Sequence, residues 1–500
     1  MSSRRPERLS AAIVAALVLC GGCRYTTKDV DVWKGTVKGP GRMVAVMLAD
    51  KYDLSLRTYA ALAMVDMERG DVDGVAELQR TIERLDPATR AKVVDGLVPG
   101  LTALMQADQG QDSPDRGPPA RQIRAKDAAF ALLAHAQGKT RQALTDAVVR
   151  WYTVDFNGRS LSGGYSAEQV MRAVGSSGAA VLVNALHAHL PQQALVKIAE
   201  LIGQLGDDTA KTSAGEKLIQ IEAEMRGPEF LAWLEKEITA TLTQGNEKPD
   251  PAHVQKTAAL NRDHFIGDGV LPAMKHLADQ PKVAERLLQL AATPDPALAD
   301  QRTRALQALE GKVREEHLDR LLALALDPKT PIGVRDYAFD RVGDIRSPRA
   351  IGPMWALVAN PQDQRLRWRA GELVLAIGGT GVIEEFFAKL PGGETGYEPE
   401  ELDGYAGRMG QMTPLPTAAA AGRLASPNWW DRVIALKFFQ RKGEAADVAR
   451  LERLVGDAAP ARGKGWAPGT TVGKVAQEAT AGLRERVGAG APPAAKPNGR

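Results

Sequence analysis

The chain has 500 residues, 44% hydrophobic and 25% charged, and its 64 Lys and Arg against 61 Asp and Glu leave a net charge of +3. That length suits about three domains or one long repeat array, and 49 Gly with 30 Pro stay below the share that marks a low-complexity chain. So even a charge balance makes no electrostatic case for nucleic acid, and aromatics at 5% argue against a base-stacking platform.

At the N-terminus, Arg4, Arg5 and Arg8 precede an apolar run of nine residues, 11–19 (AAIVAALVL). That order suits a signal peptide, and the run is too short for the ~20 residues of a bilayer span. Cys20-Gly21-Gly22-Cys23 follows, with small residues at the two positions before Cys23. The segment resembles the lipobox of bacterial lipoproteins, departing from it where Cys20 stands in place of the usual Leu. The resemblance implies that residues 1–22 are removed, that Cys23 becomes the lipidated first residue, and that the body is anchored in the bacterial envelope facing the periplasm. Arg24 is not the Asp that marks inner-membrane retention, which tilts the expectation to the outer membrane. An ordinary secretory signal, or an uncleaved anchor, is the alternative. Cys20 and Cys23 are the only cysteines, so no disulfide is expected and stability must come from packing.

Residues 23–41 read as a tether. Val30, Val32 and Trp33 could form one short strand, Gly39-Pro40-Gly41 breaks regular structure, and Trp33 could either meet lipid headgroups or pack on the first helix.

From Met43 onward apolar residues recur at three and four spacings in segments of ten to fifteen residues separated by Gly, Pro and Asp, which predicts helices. Helical repeats are expected over 42–105, then a polar linker over 106–120 and more helical repeats over 121–245. After a short break at 246–251, repeats resume over 252–390. An irregular insertion over 391–426, a last repeat over 427–459 and a basic, partly disordered tail over 460–500 complete the chain. The tail carries seven basic residues against Glu478 and Glu485.

One frame recurs: Arg57 precedes Ala60 by three residues, and so do Arg302 and Ala305, Arg335 and Ala338, Arg367 and Ala370, and Arg432 and Ala435. Arg302 and Arg335 are 33 positions apart, Arg335 and Arg367 are 32 apart, and Arg367 and Arg432 are about two such intervals apart. A period of that size on helices is a solenoid signal. The small Ala lets helices approach, and the Arg can reach a neighbouring loop or helix C-terminus. Residues 300–390 resemble HEAT repeats, especially the short HEAT-like repeats named from phycobilisome lyases. The expected fold class is therefore all-α, an α-solenoid of about ten stacked antiparallel helix pairs at ~40 residues each.

Chemistry is sparse. Gly138-Lys139-Thr140 lacks the first Gly of a phosphate loop and reads as a helix-to-helix turn. Gly175-Ser176-Ser177-Gly178 lacks a nucleophile elbow's second Gly and reads as a turn into a helix. Asp71-Val72-Asp73-Gly74 is too short for a calcium loop. His187 and His189, two apart on a predicted helix, face different ways, and the other histidines are scattered. No catalytic, metal or cofactor residue is expected. Trp429-Trp430 opens a helix, where one ring should pack and the other stay half exposed as a possible partner anchor. The expected role is a non-enzymatic scaffold, held to the membrane by the Cys23 lipid and binding protein partners along the solenoid surface. The alternative is a lyase-like enzyme or small-ligand protein whose pocket the 391–426 insertion closes.

Overall fold

The computed structural model describes residues 24–67, 72–106, 119–245 and 249–489. Among them there is no β-strand, only a single β-bridge between Pro460 and Thr471. The fold is an all-α solenoid, divided into two compact units, residues 1–283 and 284–500.

Many helices begin at an acid whose carboxylate accepts the free N–H groups of the first turn. Asp53 accepts from Leu56, Asp73 from Ala76, Asp207 from Ala210 and Asp363 from Leu366, each cap contributing about 1 kcal/mol.

The first unit runs α1 (Thr27–Trp33), α2 (Gly39–Leu48), α3 (Leu54–Val65), α4 (Gly74–Glu83), α5 (Pro87–Gln106), α6 (Ala120–Leu132), α7 (Gly138–Val154), α8 (Phe156–Arg159), α9 (Ala167–Val174), α10 (Ser176–Ala185), α11 (Gln192–Leu205), α12 (Asp208–Arg226), α13 (Pro228–Gln244), α14 (Pro251–His264) and α15 (Leu271–Lys275). A π-helical segment, Phe265–Val270, joins α14 to α15. One layer stacks α1 on α3, α3 on α5, α5 on α7, α7 on α10 and α10 on α12, while α2, α4 and α6 follow one another in the second. The α13–α14 hairpin departs from this order: only Phe230 and Leu234 of α13, and Val254 and Ala258 of α14, are buried.

Helix α16 (Pro281–Ala292) spans the division. The second unit continues with α17 (Ala299–Ala308), α18 (Leu318–Leu326), α19 (Ile332–Ile345), α20 (Ile351–Val358), α21 (Gln364–Gly378), α22 (Ile383–Lys389), α23 (Pro399–Met409), α24 (Thr417–Arg423), α25 (Trp429–Lys442), α26 (Val448–Glu452) and α27 (Val472–Ala489). The odd-numbered helices α17 to α27 pack each on the next as one layer. Shorter helices cover them, with α18 against α19, α20 against α21, α24 against α25 and α26 against α27. A helix pair cannot bury its apolar face alone, so stacking makes each core continuous.

The repeated arginine explains much of this regularity. Arg57, Arg302, Arg335, Arg367 and Arg432 each occupy the fourth position of their helix. Each donates to a carbonyl at, or just past, the end of the preceding helix. Arg57 reaches Met47 at 2.7 Å, Arg302 reaches Ala291 at 2.9 Å, and Arg335 reaches Ala325 at 3.1 Å. Arg367 reaches Asn360, and Arg432 reaches Ser426 and Pro427. Those carbonyls have no partner within their own helix, and a cation there also meets the negative end of the helix dipole. The alanines three residues on are fully buried. Two more arginines obey the same rule: Arg90 of α5 bonds Ile82, Glu83 and Leu85, and Arg141 of α7 bonds Leu133. Val93 and Leu144 replace Ala there, which hid both members from the sequence pattern.

Several expectations are corrected. The tether 23–41 holds no strand over its described residues. Val30 and Trp33 lie one helical turn apart on the buried face of α1, and Gly39-Pro40-Gly41 opens α2, because proline fits a helix's first turn. Trp33 packs among protein atoms. The irregular insertion 391–426 contains α23 and α24, which join the array. A Cβ on Gly371 of α21 would come within 2.5 Å of Tyr405 in α23, so the glycine permits that close approach. The tail 460–500 forms α27 over 472–489, with Val472, Ala476 and Leu483 in the core. Residues 490–500 lie outside the described residues.

Candidate docking groove

In the second unit, α19, α21 and α23 frame an open groove of about 1290 Å³. Its wall is dominated by charge. Arg341, Arg346, Arg365, Arg369 and Arg408 line it beside Glu310, Asp340, Asp344 and Glu372.

Most of these arginines are engaged by acids on their own or the preceding long helix. Arg365 and Arg369 of α21 both bond Asp336 of α19, and Arg369 also bonds Asp340. Arg408 of α23 lies 3.8 Å from Glu372 of α21, and Arg341 pairs with Asp344 at 2.9 Å. The ladder continues past the groove, where Lys437 and Arg441 of α25 meet Asp403 of α23. Apart from Arg341–Asp344 within α19, the rungs cross from one long helix to the next, so these pairs hold the helices in register and set charges at intervals along the surface.

Two groups in the groove stand out. Among the described residues the Arg346 side chain has no hydrogen-bond or ion-pair partner, and Arg346 stands past the end of α19 with φ 55°, the only non-glycine residue there in that region. The Trp368 Nε1 is buried without an acceptor. A free guanidinium and an unbonded indole N–H suit carboxylates and backbone carbonyls, the acceptors that an extended polypeptide offers. None of these residues stands out as a candidate site in the sequence. Their signal was present: Arg365 and Arg369 flank the repeated Arg367, while Asp340 and Glu372 each hold the ninth position of a long helix.

Behind the groove lies a buried polar node. Arg367 pairs with Glu401, and the Tyr405 hydroxyl donates to Glu401 at 2.9 Å and to the Arg367 carbonyl at 3.1 Å. Burial alone pulls the Arg367 guanidinium down, but the Glu401 hydrogen bonds and charge outweigh it, so its pKa lies above the ordinary arginine value. Burial pushes the Tyr405 phenol well above the usual tyrosine range.

The predicted site residues fall elsewhere. Cys23 lies outside the described residues. Trp429 and Trp430 are both buried, at 7% and 4% exposure, so neither ring is half exposed as expected. Trp430 stacks on Tyr397 at 5.3 Å, and Trp429 meets the edges of Tyr397 and Trp466. These partners come from the loop before α23 and from the segment before α27, beyond the reach of local periodicity. His187 and His189 lie in a turn after α10 instead of on a helix, with ring centroids 6.2 Å apart. Among the described residues no group of three His, Cys, Asp or Glu is placed to hold a metal ion. Gly138 and Gly175 sit at helix starts with positive φ. The 391–426 segment supplies one wall of the groove through Arg408, Gln411, Met412 and Thr413 and leaves it open.

No family model matches the chain, and no curated protein matches it. Among solved structures it is similar to Kap121p, with a TM-score of 0.34 and 11% identity over 96% of this chain and 47% of that one. For the karyopherin Kap121p bound to the extreme C-terminus of the protein phosphatase Cdc14p the TM-score is 0.30 at 12% identity. An engineered protein matches with a TM-score of 0.20 and 15% identity over 89% of this chain and 98% of its own. The chain spans about half the length of the Kap121p chains it matches. Likenesses this loose locate no site and name no partner.

Proposed function

We propose that the protein is a lipid-anchored scaffold of the bacterial envelope, without catalytic activity of its own, that holds a partner protein's extended segment in the groove of α19, α21 and α23. The carrying observation is that groove: open, about 1290 Å³ in volume, lined by a charge ladder with Arg346 and the Trp368 Nε1 unengaged. Solenoids present broad surfaces of this kind to protein segments. A closed apolar pocket with converging acid and base groups would favour an enzyme, and the groove has neither feature. The anchored part of the reading is supported by the basic, apolar and small-residue order that ends at Cys23.

The test uses the full-length protein in its own host. A photo-crosslinking residue is placed at Arg365 or Arg408, and at the exposed Leu161 as a control. Membrane-purified protein should show an intact mass that begins at a triacylated Cys23, and one protein should crosslink at the two groove positions and not at Leu161. Equal crosslinking at all three positions would overturn the groove as the docking site. An unacylated N-terminus would overturn the anchor.

A further inference from the structure

The described chain begins with a corner whose unpaired charges are all positive. Across residues 24–54 each of the four carboxylates has a partner in the protein, the Asp50 side chain being 92% exposed beside Arg57. Asp29 accepts from Thr26, Asp31 from Tyr59, and Asp53 from the first turn of α3, while Asp50 pairs with Arg57. Of the six cations, only Lys34 is paired, with Asp31 and Asp66. Arg24, Lys28, Lys38, Arg42 and Lys51 are exposed, and none has a carboxylate of the described residues within ion-pair distance. Two of these cations lie over aromatic rings, Arg42 over Trp33 at 5.7 Å and Lys51 over Tyr52 at 5.0 Å.

The rings form one cluster. Tyr25 meets Trp33 edge-on at 4.7 Å and stacks with Tyr52 at 5.9 Å. Trp33 and Tyr52 are buried beneath it, while Tyr25 is 38% exposed and Leu54, two residues after Tyr52, is 40% exposed. An amphipathic aromatic ringed by unpaired Lys and Arg suits the interface between headgroups and water, where the ring sits among acyl-chain ends and the cations meet phosphates. The proposed lipidation site adds a distance limit. Cys23 stands two residues before Tyr25, and two residues of chain reach no further than about 7 Å.

We propose that this corner, built by Tyr25, Trp33 and Tyr52 with Arg24, Arg42 and Lys51, rests on anionic phospholipid headgroups and fixes the orientation of the first unit on the membrane. The inference rests on the lipidation of Cys23 proposed above. The acyl chains supply the attachment, and the corner converts a swivelling attachment into a seated one. Its dependence on charge separates it from the lipid anchor, which is indifferent to headgroup charge and to salt.

The test uses the lipidated protein purified from membranes and reconstituted into vesicles of phosphatidylglycerol and phosphatidylethanolamine, or of phosphatidylcholine alone. Since Cys23 is the only cysteine left in the acylated chain, Leu54→Cys gives a unique site for a spin label. Leu161→Cys, 85% exposed in the same unit, is the control. In anionic vesicles the label at residue 54 should be shielded from a water-soluble relaxation agent and accessible to oxygen, with Leu161→Cys in open water. Phosphatidylcholine, high salt, or Arg42→Gln with Lys51→Gln should return residue 54 to water with the protein still anchored. For the unacylated Cys23→Ser chain, the same double substitution should weaken sedimentation with anionic vesicles by on the order of thirtyfold, since each cation contributes about 1 kcal/mol. A label at residue 54 as wet as the control in every vesicle overturns the proposal. Shielding by isolated peptidoglycan sacculi and not by vesicles overturns it too. The intact mass reports separately on lipidation, so an unacylated chain that still binds anionic vesicles through these cations would refute the anchor and leave the corner standing.

Discussion

Arg367 and Glu401 face each other across α21 and α23 in a bidentate ion pair, with bonds of 2.8 and 2.9 Å and no exposed surface on either side chain. Arg367 also donates to the Gly396 carbonyl and lies over the Tyr397 ring at 4.5 Å. The residue that closes the preceding helix in other repeats here also ties in the loop before α23.

Breaking such a pair strands a buried charge, whereas replacing both partners removes the need for one. Glu401→Ala should therefore destabilise the second unit by about 3–5 kcal/mol, and Arg367→Leu combined with Glu401→Leu by much less. Urea unfolding followed by tryptophan fluorescence measures both. A Glu401→Ala midpoint equal to that of the unaltered protein would contradict the pair's structural role.

The arginines at the fourth helix position make a second test, because the same substitution can be repeated along the array. Arg302→Met and Arg335→Met each remove a charged donor from a helix-end carbonyl, at a cost of about 1.5–3 kcal/mol apiece. Lysine should restore only part of this, since a point charge on a flexible stem replaces a planar fork. Hydrogen exchange should localise the loss to the last turns of α16 and α18. Uniform loosening of the whole unit would show that the arginines act otherwise.

The α-solenoid and its period were legible in the sequence because they rest on local spacing: helical apolar periodicity, turn glycines and the Arg-to-Ala interval each lie within one or two turns. What failed depended on partners far along the chain. The Tyr397 backbone N–H donates to the Arg462 carbonyl, and its carbonyl accepts from the indole N–H of Trp466, contacts that turn an apparent insertion into repeat structure. Helix α27 looked like a solvated basic tail because Arg484 and Arg486 are conspicuous in sequence. Their partners, Glu452 and the carbonyls of Gln440 and Gly443, lie more than thirty residues upstream. The groove was missed for a related reason, since its arginines look like a solvated helix face until Asp336, Asp340 and Glu372 are set beside them.

Trp430 should behave as a core residue. Stacked on Tyr397 and 4% exposed, it leaves a large cavity when truncated, and Trp430→Ala should cost about 3–5 kcal/mol of stability. At temperatures where the variant remains folded, crosslinking from Arg365 should be unchanged. A variant of full stability that loses its partner would reinstate the tryptophan as an anchor.

Asp431, beside Trp430, provides a pH test. Burial raises its carboxyl pKa, only partly opposed by hydrogen bonds from Ser426 and Asn428. The folded state then holds this proton more tightly than the unfolded chain does. Asp431 thus loses stability as pH climbs through the window that opens at the ordinary carboxylate value near ~4, and its full penalty applies above that window. In Asp431→Asn that contribution is gone, so the variant's urea midpoint should gain on that of the unaltered protein as pH climbs through this window. A variant that loses ground over the same window would mean that the carboxylate is stabilised as an anion.

Arg346 tests the groove by setting stability against binding. At φ 55° it occupies the left-handed position after α19 where glycine costs least, and its guanidinium meets no acid among the described residues. Arg346→Gly should therefore raise stability by about 1 kcal/mol, because it relieves the strain of a side chain in that region. The same change removes the groove cation that is unpaired among the described residues and should lower the crosslinking yield at Arg365, most strongly at low salt. Arg346→Ala separates the two effects: it also loses the cation but keeps the strain, so binding should fall without any gain in stability. If Arg346→Gly binds its partner as well as the unaltered protein, the groove does not use this residue.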